Sequence, residues 1–184
     1  GPPPVSAHSP ALDGRPLGSF EDAAALTHDA WPFVAVCVVR LEQGPDDETL
    51  RHALDRRQRE TPLLGVRVTK DGGGRRFCRG APRVPLEVRT RRGEDDWQST
   101  AEEALNHKLD SATGPLLRAW YVRPAARQGP AEIVLAFHHT IIDAASGQAW
   151  IGELLRACAE PRLPDVGVDT ALPPPTDALL PSGF

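Results

Sequence analysis

The stretch Ile133-Val134-Leu135-Ala136-Phe137-His138-His139-Thr140-Ile141-Ile142-Asp143-Ala144 constrains this chain more than any other. An apolar run of strand character ends in two adjacent histidines, and four residues beyond the second stands Asp143, where a helical pattern begins. Such a junction holds a titratable ring at the edge of a core. A single histidine on an apolar strand is most often a packed, hydrogen-bonded core residue. Two imidazoles at a strand's carboxyl end, with a carboxylate at the mouth of the next helix, make a constellation instead. Neutral imidazole accepts a proton near neutral pH, and the neighbouring backbone can fix its tautomer. The stretch therefore reads as the seat of a general base.

At 184 residues the chain can enclose one good-sized core, which argues for one domain. Its formal net charge of −4 comes from intermixed acids and bases, so there is no electrostatic reason to expect nucleic acid or an acidic lipid surface. Clusters such as Arg56-Arg57 and Arg89 to Arg92 read as solvated faces. Cys37, Cys78 and Cys158 are widely spaced, without CxxC or Cys/His ligand spacing, and a reducing cytoplasm is the expected setting. No apolar run is long enough to span a bilayer, and Gly1-Pro2-Pro3-Pro4 lacks the order of a signal peptide.

Residues 1–19 are rich in proline, glycine and serine and read as a flexible leader. Glu21 to Ala30 forms a short helix with Ser19 as its cap, broken by Trp31-Pro32. Phe33 to Leu41 is apolar on both faces and reads as a buried strand in the centre of a sheet. After Gly44-Pro45-Asp46, a turn that supplies a cap, Leu50, Ala53, Leu54 and Arg57 fall at helical spacing over residues 46–60. Thr61-Pro62 ends that helix, and Leu63 to Thr69 resumes strand character. Asp71-Gly72-Gly73-Gly74 reads as a hairpin tip rather than a phosphate cradle, since no helix pattern or Lys-Ser/Thr follows.

Pro85 to Arg89 is a short edge strand, and Trp97, Ala101, Ala104, Leu105 and Leu109 mark an amphipathic helix over 97–109, with Asp95 or Asp96 at its amino end. Leu116 to Arg123 is another strand, and the loop from Pro124 to Pro130 brings the 132–138 strand antiparallel beside it. Ala149, Trp150, Leu154, Leu155 and Cys158 carry a helical stripe over 144–159, which Pro161 stops. Residues 161–184 are proline-rich, as in a linker crossing a surface. Residues 20–160 thus make the folded unit.

His138-His139-Thr140-Ile141-Ile142-Asp143-Ala144 resembles the HHxxxDG signature of the acyltransferase superfamily that holds chloramphenicol acetyltransferase, condensation domains of nonribosomal peptide synthesis, alcohol acetyltransferases and polyketide-associated acyltransferases. Thr61-Pro62-Leu63-Leu64 is similar to that family's His-Pro-x-Leu, and Gly114-Pro115-Leu116-Leu117-Arg118 to its Gly-Pro-Leu-x-Arg strand, in the same order along residues 31–160. The resemblance implies an α/β fold of the α+β kind: a single amino-terminal lobe with a mixed, mostly antiparallel sheet and helices packed on it. It implies that His139 is the catalytic base, taking a proton from a hydroxyl or amine as it attacks a thioester carbonyl. His138 and Asp143 would be structural at the site, the aspartate through an ion pair with an arginine. The family's arginine position is Gly65 here and its closing glycine is Ala144, so Arg67, Arg118 or Arg123 would have to serve Asp143.

The implied co-substrate is acyl-CoA or a phosphopantetheine-linked acyl thioester, with no tightly bound cofactor and no metal. The implied partners are a carboxyl-terminal lobe or a second copy, and an acyl carrier protein. The DFGWG-type motif of the second lobe is absent, so acyl transfer is expected to need a second lobe or an oligomer neighbour, because positioning and oxyanion stabilisation contribute more than a base alone. The alternative reading is a non-catalytic module that docks a carrier protein or a second lobe. A serine hydrolase is disfavoured by the absence of GxSxG and by Ser146 lying inside a helix pattern. A metal centre is disfavoured because adjacent histidines on a strand face opposite ways.

Overall fold

Among the described residues, four α-helices and six strands follow in the order α1 (Ser19–Ala30), β1 (Val34–Leu41), α2 (Asp47–Glu60), β2 (Val66–Asp71), β3 (Gly74–Arg79), β4 (Leu86–Thr90), α3 (Asp96–Asn106), β5 (Leu117–Arg123), β6 (Ala131–His138) and α4 (Ala144–Ala159) in the computed structural model of the chain, with a 3-10 turn at Pro62–Leu64 where strand was expected from Leu63. It describes residues 14–142, 144–160 and 172–173. β1, β6, β5 and β4 lie side by side in a four-stranded sheet, in which β6 pairs antiparallel with both β1 and β5 while β4 runs parallel to β5. The architecture is the mixed, mostly antiparallel sheet with packed helices that the resemblance implies.

Both faces of this sheet are covered. Ile133, Leu135 and Phe137 of β6 and Leu117, Ala119 and Tyr121 of β5 meet Leu50, Ala53 and Leu54 of α2 and Trp150, Leu154 and Ala157 of α4. On the opposite face, Val134 and Ala136 of β6 and Trp120 of β5 pack against Ala104 of α3. Two-sided cover explains why every residue of β6 is buried and why its sequence shows no alternation.

The same cover explains one correction. The 33–41 strand, expected in the centre of the sheet, is its edge. An edge strand sandwiched between helices is apolar on both faces just as a central one is, and position shows in burial instead: seven residues of β1 are half-buried and Arg40 is exposed. The 85–89 strand lies at the other edge, as read.

Capping follows the sequence at α2, where the Asp46 carboxylate accepts the Thr49 N–H at 2.7 Å. At α1 the cap position is Gly18 rather than Ser19; the Glu21 carboxylate accepts the Gly18 N–H at 2.7 Å and is clamped by Arg15 at 2.6 and 2.7 Å. α3 ends at Asn106, three residues earlier than its stripe suggests, because Leu109 is buried from the loop that follows.

β2 and β3 form a separate two-stranded hairpin whose Val66, Val68 and Phe77 make a small core with Leu116. Its tip closes with the Gly73 N–H on the Asp71 carboxylate at 2.7 Å and Gly74 at φ 107°, a conformation that favours glycine. Residues 14–18 run along β3, with the Leu17 N–H on the Arg75 carbonyl and the Phe77 N–H on the Arg15 carbonyl. Arg75 then pairs with Asp22 and Asp29 at 2.9 Å, and Lys70 with Asp29 at 2.8 Å, tying α1 to the hairpin.

Candidate active site

The β1–β6 ladder places the site. Its terminal pair is Val34 with His138, so the next residues outward, Phe33 and His139, face each other where the strands separate. Their rings stack at a centroid distance of 4.3 Å and an interplanar angle of 28°. His139 opens the turn after β6 and is half-buried. Its neighbours' bulk holds its pKa below the ordinary imidazole value, so the ring is neutral at pH 7. Neither ring nitrogen of His139 has a hydrogen bond to a described residue.

His138 points the other way and is 0% exposed. Its Nδ1 accepts the Thr140 N–H at 3.1 Å, with the Thr140 hydroxyl at 2.9 Å. A backbone N–H can only donate, so the proton of the neutral ring sits on Nε2, which is buried with no partner among the described residues. Desolvation, with His28 and His139 adding repulsion, pushes its pKa down to about 3. His138 is thus a fixed, uncharged packing group.

Beneath it lies His28 of α1, its ring centroid 4.2 Å from that of His138. Its Nε2–H donates to the Leu109 carbonyl at 2.9 Å, and its Nδ1 accepts the Phe33 N–H at 3.1 Å. Phe33, His28 and Thr140 therefore belong to the site although no motif marks them. The signal for Phe33 was the register of two strands, each legible alone.

Asp143 lies outside the described residues. Of the arginines named for it, Arg123 pairs with Asp47 at 2.9 Å, and Arg118 reaches Glu87 at 3.4 Å with its guanidinium over Trp120. Ser146 lies on α4, as read. Among the described residues no group of three or more His, Cys, Asp or Glu gathers as a metal site would require, and no helix is long and apolar enough to cross a membrane. A cleft of about 420 Å³ between the end of α2 and β3 is lined by Asp55, Arg59, Arg79 and Arg83, and does not include His139.

Apolar side chains beside the site are open to solvent. Phe33 is 37% exposed, and Trp31, two residues earlier, is 69% exposed. An isolated lobe that packs against another surface is expected to show such residues.

No family model and no curated protein sequence matches the chain. Solved structures do. The starter condensation domain of rhizomide synthetase RzmA superposes with a TM-score of 0.70 at 14% identity, over 85% of this chain and 40% of that one. The first condensation domain of the calcium-dependent antibiotic synthetase, in complex with a substrate analogue, gives 0.68 at 18% identity, over 82% and 40%. The SgcC5 protein of Streptomyces globisporus gives 0.60 at 31% identity, over 75% and 34%. The chain spans between a third and two fifths of the length of these structures, and it has the fold of a single condensation-domain lobe.

Proposed function

We propose that this condensation-type lobe carries the general base of an acyl transfer from a CoA or carrier-protein thioester to a hydroxyl or amine. The observation that carries the reading is His139 itself: neutral, reachable by solvent, and with both ring nitrogens unengaged by described residues. One nitrogen takes the acceptor's proton as its oxygen or nitrogen attacks the thioester carbonyl. The tetrahedral intermediate collapses by breaking the carbon–sulfur bond, and the departing thiolate recovers that proton from the imidazolium.

The donor class is supported by a rhizomide synthetase starter condensation domain solved with C8-CoA. The acceptor class is supported by SgcC5, solved with an aryl ethanediol. A carboxyl-terminal lobe, in the same polypeptide or from a neighbour, supplies the facing wall and the oxyanion contacts. Residues 161–184 serve as the segment leading towards it. Asp143 takes the structural role of the motif's aspartate, and the reaction belongs to cytoplasmic, polyketide-associated or peptide natural-product biosynthesis.

The test joins this lobe to a condensation-type carboxyl-terminal lobe and measures thiol release from acyl-CoA and from acyl carrier protein. His139→Ala should lower turnover by roughly 10²- to 10⁴-fold with folding nearly unchanged. Full turnover by that variant overturns the mechanism. Tight binding of carrier protein by a wild-type pair that never turns over assigns the lobe to docking instead.

A further inference from the structure

We propose that Phe33 is the positioning residue for His139, orienting the imidazole by a ring stack rather than a hydrogen bond, and that His28 stands behind it by fixing the Phe33 backbone. The inference rests on the reading of His139 as the base. It starts from an absence among the described residues: no carbonyl or carboxylate holds either nitrogen of His139, although such a bond is the usual means of aiming a catalytic imidazole. What the ring has instead is the face of Phe33 at 4.3 Å.

The difference matters for proton transfer. A hydrogen bond to one ring nitrogen occupies part of the edge at which protons move, whereas a stack grips the face and leaves the whole edge free. An aromatic pair of this type is worth enough to favour one ring orientation by roughly 2- to 12-fold over unstacked alternatives.

Phe33 must itself be held, because it lies beyond the last ladder pair, Val34 with His138. Its N–H would be an orphan there, and the Nδ1 of His28 accepts it at 3.1 Å. His28 cannot turn to release that bond without giving up its Nε2–H donation to the Leu109 carbonyl at 2.9 Å, and it is 1% exposed. Leu109, His28, Phe33 and His139 thus form a path of contacts from the interior to the reactive ring. His138 touches this path through its ring contact with His28 but takes no hydrogen bond from it, its own Nδ1 being spent on Thr140.

The experiment uses the 184-residue chain with isotope-labelled histidine and reads the His139 ring by NMR, so it needs no turnover. Wild type should show one side-chain rotamer, with ring protons shifted upfield by the stack. Phe33→Ala should give couplings averaged over several rotamers while the His138 resonances and the far-UV spectrum stay put. Phe33→Tyr should restore the single rotamer, and His28→Gln should show partial averaging with Phe33 present. A single unchanged His139 rotamer in Phe33→Ala overturns the proposal, as does averaging that Phe33→Tyr fails to rescue. If the stack proves real while His139→Ala keeps full turnover in the two-lobed assay, the functional reading has failed and the positioning has not.

Discussion

The last residue of β6 and the first residue of the turn beyond it each carry an imidazole, and the two are held by opposite means. His138 is gripped at its edge by Thr140, enclosed, and left with a buried Nε2–H that has no acceptor among the described residues. His139 is gripped on its face by Phe33, and neither of its nitrogens is engaged by a described residue. Adjacent residues of the same type thus differ in which part of the ring the fold consumes. Edge contact and burial make a histidine structural, and face contact with an open edge leaves it chemically competent.

Acid should expose the difference most strongly. The folded-state pKa of His138 lies at about 3, below the ordinary value of 6.5 that the unfolded chain recovers, so the unfolded state binds the extra proton first. The corresponding stability is complete above pH 6.5 and is lost as the pH falls towards 3, with each unit worth about 1.4 kcal/mol at most. Denaturant titrations should show a fall of several kcal/mol across that window, and the His138→Ala variant should lose much of the slope. A flat profile through the window would break the contrast. His139, less deeply enclosed, should contribute a smaller fall beginning near the same pH.

Truncation at neutral pH should come next. His138→Ala opens a cavity in the packed face and frees the Thr140 N–H, and should cost about 2–4 kcal/mol in urea unfolding. His139→Ala should cost less than about 1 kcal/mol, since the ring is only partly enclosed and loses no hydrogen bond to a described residue. Equal costs would mean that both rings are structural. The smallest shift belongs to Thr140→Val, which removes one hydroxyl contact to Nδ1 but keeps the backbone donor; about 1 kcal/mol is expected.

Much of the fold was legible from the chain. The helices announce themselves by stripes such as Leu50, Ala53 and Leu54, and the hairpin by its run of glycines. The edge position of β1 was hidden because α3 on one side and α2 with α4 on the other ask for apolar residues on both faces. His139 was found through its motif, whereas Phe33 became part of the site through a pairing between strands far apart in the chain, which neither strand encodes by itself. His28 was less visible still: its signal is a lone histidine in a short helix, and its partners, the Leu109 carbonyl and the Phe33 N–H, are backbone groups that every sequence possesses.

That pairing also has a kinetic meaning. Val34 and His138 are about a hundred residues apart, so the β1–β6 ladder closes a long loop and must repay its entropy before it yields any contact. The β5–β6 hairpin closes across a short loop and can form early. A chain arrested between these two events holds a buried sheet core but has no partner for the His139 ring. Reactivity at that ring would then report completion of the fold itself.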